Sequence, residues 1–282
     1  MTQIFAARGA ILALALIAPA ASGGLAQESP IALAPHLAVY DLSLGKTRGN
    51  SQIIGVRGRI LYDFDGSACE GYSLRFRQVS EVDSGEGKVA TSDLRSTTWE
   101  GGEPRSFKFT SQNFLNENLV DSVDGHAEHG ASATAVNLMK PAQKVLDLDP
   151  SVVFPTEHML RVIAAARAGK SILDFPVFDG SDTGEKVYDT LTVIGHKLAS
   201  DERKHGDAAD DDAKLAGIPR WPVTISYFEK GKARSGEQTA VYTISFELYE
   251  NGISRALTLD YGDFIVAGKL TSIELKTAKP CH

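Results

Sequence analysis

The sequence is short of several things, and each shortage excludes something. It holds only two cysteines, Cys69 and Cys281, in 282 residues. They form no Cys-x-x-Cys pair, which argues against a redox catalyst and against a cysteine-built metal site. Basic residues are outnumbered, 29 Lys and Arg against 36 Asp and Glu, for a formal charge of −7. A surface of that sign argues against nucleic acid and anionic lipid headgroups as partners. After residue 26 no apolar run approaches the roughly 20 residues that a membrane-spanning helix needs, so no transmembrane segment is expected in the mature chain. The sequence has no Gly-x-Ser-x-Gly elbow, no phosphate-binding glycine loop, no internal repeat and no proline or Gly-Ser linker.

What is there begins with an export signal. Arg8 supplies the positive charge, residues 10–21 the apolar stretch, and Gly24-Leu25-Ala26 the small residues before a cleavage site. The expected leader is 1–26, leaving 27–282 as one domain outside the cytoplasm. In an oxidising compartment two cysteines read first as one disulfide. A Cys69–Cys281 bond would tie the C-terminus to an early strand.

Most of the remaining chain reads as strands and turns. Strand-like runs occupy 36–44, 51–56, 60–64, 72–79, 89–100 and 106–113. The pattern weakens over 116–140, where 134–140 is the one strand candidate, and 147–153 reads as a loop. Further runs lie at 171–178, 186–196, 221–229, 264–266 and 269–275. Asn251-Gly252 is the strongest local signal. A two-residue turn there, with positive φ at both positions, pairs Leu248 with Arg255, Phe246 with Leu257, Ile244 with Leu259 and Tyr242 with Tyr261. Residues 201–214 (DERKHGDAADDDAK) are acidic and read as a solvated, mobile loop.

One stretch is a helix, 154–170 (FPTEHMLRVIAAARAGK). Thr156 can cap it, Pro155 suits its entry, and Gly169 its stop. Its apolar residues spread over most of the wheel, which predicts burial inside the sheet. The residues alone give a mainly β domain of about a dozen antiparallel strands plus one buried helix.

Candidate chemistry is thin. Asp83-Ser84-Gly85 and Asp182-Thr183-Gly184 have the form of protease aspartate loops but sit among glycines and charges, as hairpin turns do. His126 and His129, with Asp124, lack a further ligand and read as a polar turn. The segment from Asp179 fails as a calcium loop, because Thr190 stands where a bidentate Glu belongs. Thr156, Glu157 and His158 at the helix mouth are the remaining binding candidates. Glu157 and His158 point about 100° apart and so make a poor acid–base pair. No catalytic set, metal site or cofactor is expected.

Several stretches together resemble the EipB-like family of bacterial envelope proteins. They are AVYDLSL at 38–44, FPTEH at 154–158, FPVFDGSD at 175–182, LDYGDF at 259–264 and the terminal Lys279-Pro280-Cys281. Cys69 and Cys281 match that family's disulfide. The resemblance implies a periplasmic, spiral-like, highly curved antiparallel sheet, a half-open barrel wrapped around a central helix. It also implies a role in envelope integrity and stress resistance, with a periplasmic tetratricopeptide-repeat protein as a partner. It brings no enzymatic activity. The expectation is a scaffold or binding module for a protein or an apolar envelope ligand, with a lipid or lipoprotein carrier and a hydrolase as alternatives.

Overall fold

Period-two alternation governs most of the chain. In the first strand His36, Ala38, Tyr40 and Leu42 are buried while the residues between them are more open. The computed structural model describes residues 29–102, 105–199, 202, 204–230 and 238–278.

The described residues hold fourteen strands. The first eight are β1 (His36–Thr47), β2 (Gly55–Ser67), β3 (Gly71–Asp83), β4 (Val89–Glu100), β5 (Ser106–Leu115), β6 (Asn118–His129), β7 (Thr134–Lys140) and β8 (Lys144–Leu148). Helix α1 (Pro155–Arg167) follows. The others are β9 (Ile172–Val177), β10 (Tyr188–Ile194), β11 (Arg220–Glu229), β12 (Tyr242–Tyr249), β13 (Ser254–Asp260) and β14 (Phe264–Leu275), with a short helix α2 (Ala208–Asp211) before β11.

All fourteen form one antiparallel sheet, in the order β8 through β1, then β14 down to β9. Two meanders are thus joined where β1 pairs with β14, His36 opposite Leu275. The sheet's two edges, β8 and β9, are consecutive strands separated by α1. They do not pair. Val153, after β8, makes a lone parallel bridge to Val177, with Val153 N–H donating to Pro176 O at 2.8 Å.

Side chains fill the seam instead. Phe107 stacks on Phe154 at 5.1 Å, and Phe109 meets Phe178 edge-on at 5.5 Å. Gly180 has φ +69° and lies so close to Phe109 that a Cβ would fall 2.4 Å from the ring. The curled sheet is therefore unclosed in hydrogen bonds but packed across its gap.

On the outer face, charges mark the register. Asp63 opposes Arg75, Asp41 opposes Arg59, and Asp93 receives both Arg77 and Arg95. The cross-strand pairs among these, Asp63–Arg75, Asp41–Arg59 and Asp93–Arg77, contribute little each, about 0.2–1 kcal/mol, but disfavour a one-residue slip.

The hairpin between β12 and β13 departs from the two-residue turn. Gly252 alone of the pair has positive φ (+85°), and Tyr249 N–H donates to Ile253 O at 2.8 Å, closing a three-residue loop. Leu248 therefore pairs with Ser254, and Glu247 with Arg255. A bulge follows, with Ala256 at φ +53°. Beyond it Ile244 meets Leu259 as expected from sequence. The extra loop residue and the bulge cancel, and between them Arg255 is turned into the interior, 1% exposed.

Residues 124–129 are not a turn. They belong to β6, and Gly125 lets the ring of Phe109 lie against the strand, where a Cβ would sit 2.8 Å from it.

Candidate functional site

Helix α1 begins at Pro155, and its N-cap Phe154 makes no side-chain cap. Thr156 is not the cap either. Glu100, 3% exposed at the end of β4, takes the Thr156 and Glu157 N–H groups on its two carboxylate oxygens, each at 2.7 Å. A carboxylate there satisfies free N–H groups and opposes the helix dipole. Desolvation pushes the Glu100 pKa up to about 7, against the lowering effect of those hydrogen bonds. The far end closes as the glycine motif predicts: Gly169 has φ +70°, Gly169 N–H bonds Ala166 O, and Lys170 N–H bonds Ala165 O.

The helix buries Val162, Ile163, Ala165 and Ala166 in a core with Phe64 and Tyr72 from one meander and Ile194, Trp221 and Leu248 from the other. Arg161 and Ala164 face solvent. Its first turn splits the predicted trio. Glu157 ion-pairs with Arg161 and stands 3.7 Å from His129, whose ring stacks on Phe154 at 4.2 Å. His158 points elsewhere, edge-on to Phe175 at 6.0 Å. The two are not an acid–base pair.

His158 lines a cavity of about 320 Å³ between α1 and the inner face of the sheet. Its walls are apolar, with Ile60, Phe76, Val162, Ile244, Phe246 and Leu257 among them. Ligand pockets run from about 300 to 1,000 Å³ and are mostly apolar with a few placed polar groups. Here the polar residues are His158, Asp179, Gln78 and Ser254, with Tyr40, Tyr62 and Tyr227. Burial, with a smaller push from Arg161, drops the His158 pKa to about 4, so its ring is neutral at pH 7. Its Nε2 is buried and has no hydrogen-bond partner among the described residues. Burial raises the Asp179 carboxyl above the ordinary range although Ser181 N–H donates to it at 2.9 Å. Tyr227 stacks on Tyr242 at 4.4 Å, and both phenols are raised, first by desolvation and then by the nearby Asp179, with Tyr227 adding to the rise of Tyr242.

The acidic segment is docked rather than solvated over its described part. Asp207 is 5% exposed and caps α2 through Ala209 N–H, and Ala209 and Leu215 join the core beside Tyr40 and Leu257. Asp207 and Asp210 grip Arg255 at 2.6 and 2.8 Å. His205 and Arg220 likewise hold Glu247, at 2.9 and 3.0 Å. Sequence reasoning misses this cluster because each ion pair joins the segment or Arg220 to a residue of the later hairpin, Glu247 or Arg255. The one available signal was Arg255 intruding among apolar hairpin positions.

Among the described residues no group of three His, Cys, Asp or Glu is placed to hold a metal. Asp182 is at φ +51° in a turn, its carboxylate receiving Tyr188 Oη–H at 2.5 Å. Cys69 lies in the exposed turn 68–70 between β2 and β3. Cys281 lies outside the described residues, as do 1–28. No described helix is long and apolar enough to cross a membrane.

The EipB-like family model matches residues 27–277. Over 258 residues the chain is 38% identical to the cell envelope integrity protein EipB of Brucella abortus (strain 2308), spanning 90% of this chain and 88% of that one. It is also similar to a crystal structure of a β-barrel-like protein of a domain of unknown function from Brucella abortus. That likeness has a TM-score of 0.80 at 38% identity, covering 88% of this chain and 100% of the other.

Proposed function

The chain belongs to the EipB-like family, and from that premise we propose that it is an exported, non-enzymatic binding protein supporting cell-envelope integrity. Residues 1–26 are its leader, 27–282 its single periplasmic domain, and Cys69–Cys281 its disulfide. The sheet curls round α1 and holds an apolar envelope ligand. The observation that carries this is the apolar cavity beside α1, lined by Val162 and entered by a few polar groups. What supports the non-enzymatic part is that Glu157 and His158 face different neighbours.

Purification from periplasm, organic extraction and mass spectrometry test the reading. A stoichiometric apolar ligand is expected. Recovery of neither lipid nor protein above background counts against it.

A second reading, a scaffold for a tetratricopeptide-repeat protein, is favoured by one feature. The edge strand β9 carries Ile172, 65% exposed, directly opposite Val193, 46% exposed on β10. An edge with free backbone groups and an apolar flank suits an added strand or helix. Ile172→Asp with Val193→Asp should abolish capture of such a partner and leave ligand recovery unchanged.

A further inference from the structure

The cavity's polar groups restrict the head group of whatever it holds. No Lys or Arg lines it, among the described residues. An ionised carboxylate or phosphate buried there loses its hydration with no cation to replace it. It also meets the like charge that Asp179 can carry.

The hydrogen-bond requirements are more specific still. His158 Nε2 is an orphan, and in a neutral imidazole that nitrogen is either donor or acceptor. Asp179 is an acceptor when ionised and adds a donor when protonated. A ligand carboxylate only accepts, and an ammonium only donates. A hydroxyl does both, so it satisfies either tautomer of His158 and either state of Asp179. The volume, about 320 Å³, is at the small end of ligand sites and suits one alkyl chain rather than several.

We propose that the cavity takes a single-chain amphiphile with an uncharged, hydroxyl-bearing head group, of the monoacylglycerol type, seated against His158 and Asp179. It discriminates against the ionised fatty acid of the same chain. This rests on the reading of the cavity as a ligand site.

The test uses the oxidised mature protein and the neutral fluorescent probe N-phenyl-1-naphthylamine. Monolauroylglycerol and laurate compete for the probe at about pH 8, where laurate is ionised. Monolauroylglycerol is expected to displace it at a concentration lower by about tenfold or more. The preference should collapse in His158→Phe, through weaker monolauroylglycerol binding. In Asp179→Asn the gap should narrow instead, through better laurate binding. That second variant carries the test if the first does not fold. Probe binding with laurate equal or superior overturns the head-group assignment and leaves the cavity reading standing. A preference unchanged in both variants also overturns it. Absence of any probe binding removes both readings.

Discussion

Arg255 and Asp207 meet at 2.6 Å with both side chains almost wholly buried, 2% and 1% exposed. The pair joins the acidic segment to the interior of the β12–β13 hairpin. Removing Arg255 strands Asp207 as a buried charge without its cation, at a cost of about 3–5 kcal/mol. Removing Asp207 leaves Arg255 to Asp210 alone among carboxylates and takes the cap from α2. Arg255→Leu and Asp207→Leu should each lower the melting temperature sharply. The double substitution should cost clearly less than the sum. Additive losses in a double-mutant cycle would mean that the two do not act as a pair.

Two buried groups oppose each other in their pH dependence. Glu100 is raised to about 7, so its contribution is full below its unfolded value near 4.5 and is lost as pH rises through 7. His158 is depressed to about 4, so its contribution is full above 6.5 and is lost as pH falls through 4. Each is worth about 3 kcal/mol across the window, and in the wild type they offset. Glu100→Gln should therefore make stability rise from pH 5 to pH 8, and His158→Phe should make it fall. Denaturant melts at the two pH values check both slopes. Parallel curves for wild type and variants would refute the assignment.

The packed seam predicts an ordering among glycine substitutions. Gly180→Ala meets both a positive φ and the Phe109 ring, and should cost about 2 kcal/mol or more. Gly217→Ala, also at positive φ (+79°) but with nothing within 4 Å, should cost only about 1 kcal/mol. Equal losses in chemical denaturation would show that Phe109 does not press on the 178–186 connection.

The proposed Cys69–Cys281 bond is favoured by the end of the described chain. Lys276 Nζ reaches Asp63 and Asp65 on β2, the strand that leads into the Cys69 turn. A cystine closing so long a loop is worth up to ~5 kcal/mol. Cys69→Ser should melt lower than oxidised wild type and match reduced wild type. Equal melting of oxidised and reduced protein would remove the bond from the account.

Sequence made the β meander, the helix and its glycine stop legible, because alternation and turn residues are local. Errors clustered where a distant contact overrode a local sign. Gly58 and Gly268 look like breaks, yet they lie within β2 and β14, where a Cβ would press on Val79 O or Leu257. β6 and β8 escape the pattern because β6 is exposed along its first third, apolar Leu119 and Val120 included, and β8 is short and mostly exposed. Thr156 looked like the cap because Glu100, which does the work, is on another strand. The residues 205–214 looked solvated because composition does not reveal Arg220 and Arg255 waiting beneath them. At the site, His158 was visible as a candidate. Asp179 was noticed only as part of a turn, because the wall it shares with His158 is made by the curl of the whole sheet.

The claim on which the rest turns is that the space beside α1 is an occupied-by-design ligand cavity. A titration with N-phenyl-1-naphthylamine, run on wild type and on Ile244→Trp with thermal melts of both, addresses it most directly. Ile244 lines the cavity from β12, and an indole there fills it. Saturable one-to-one fluorescence enhancement in the wild type, lost in a variant that still melts cooperatively, is the predicted result. No saturable binding in the wild type, or binding undiminished in the filled variant, would contradict it.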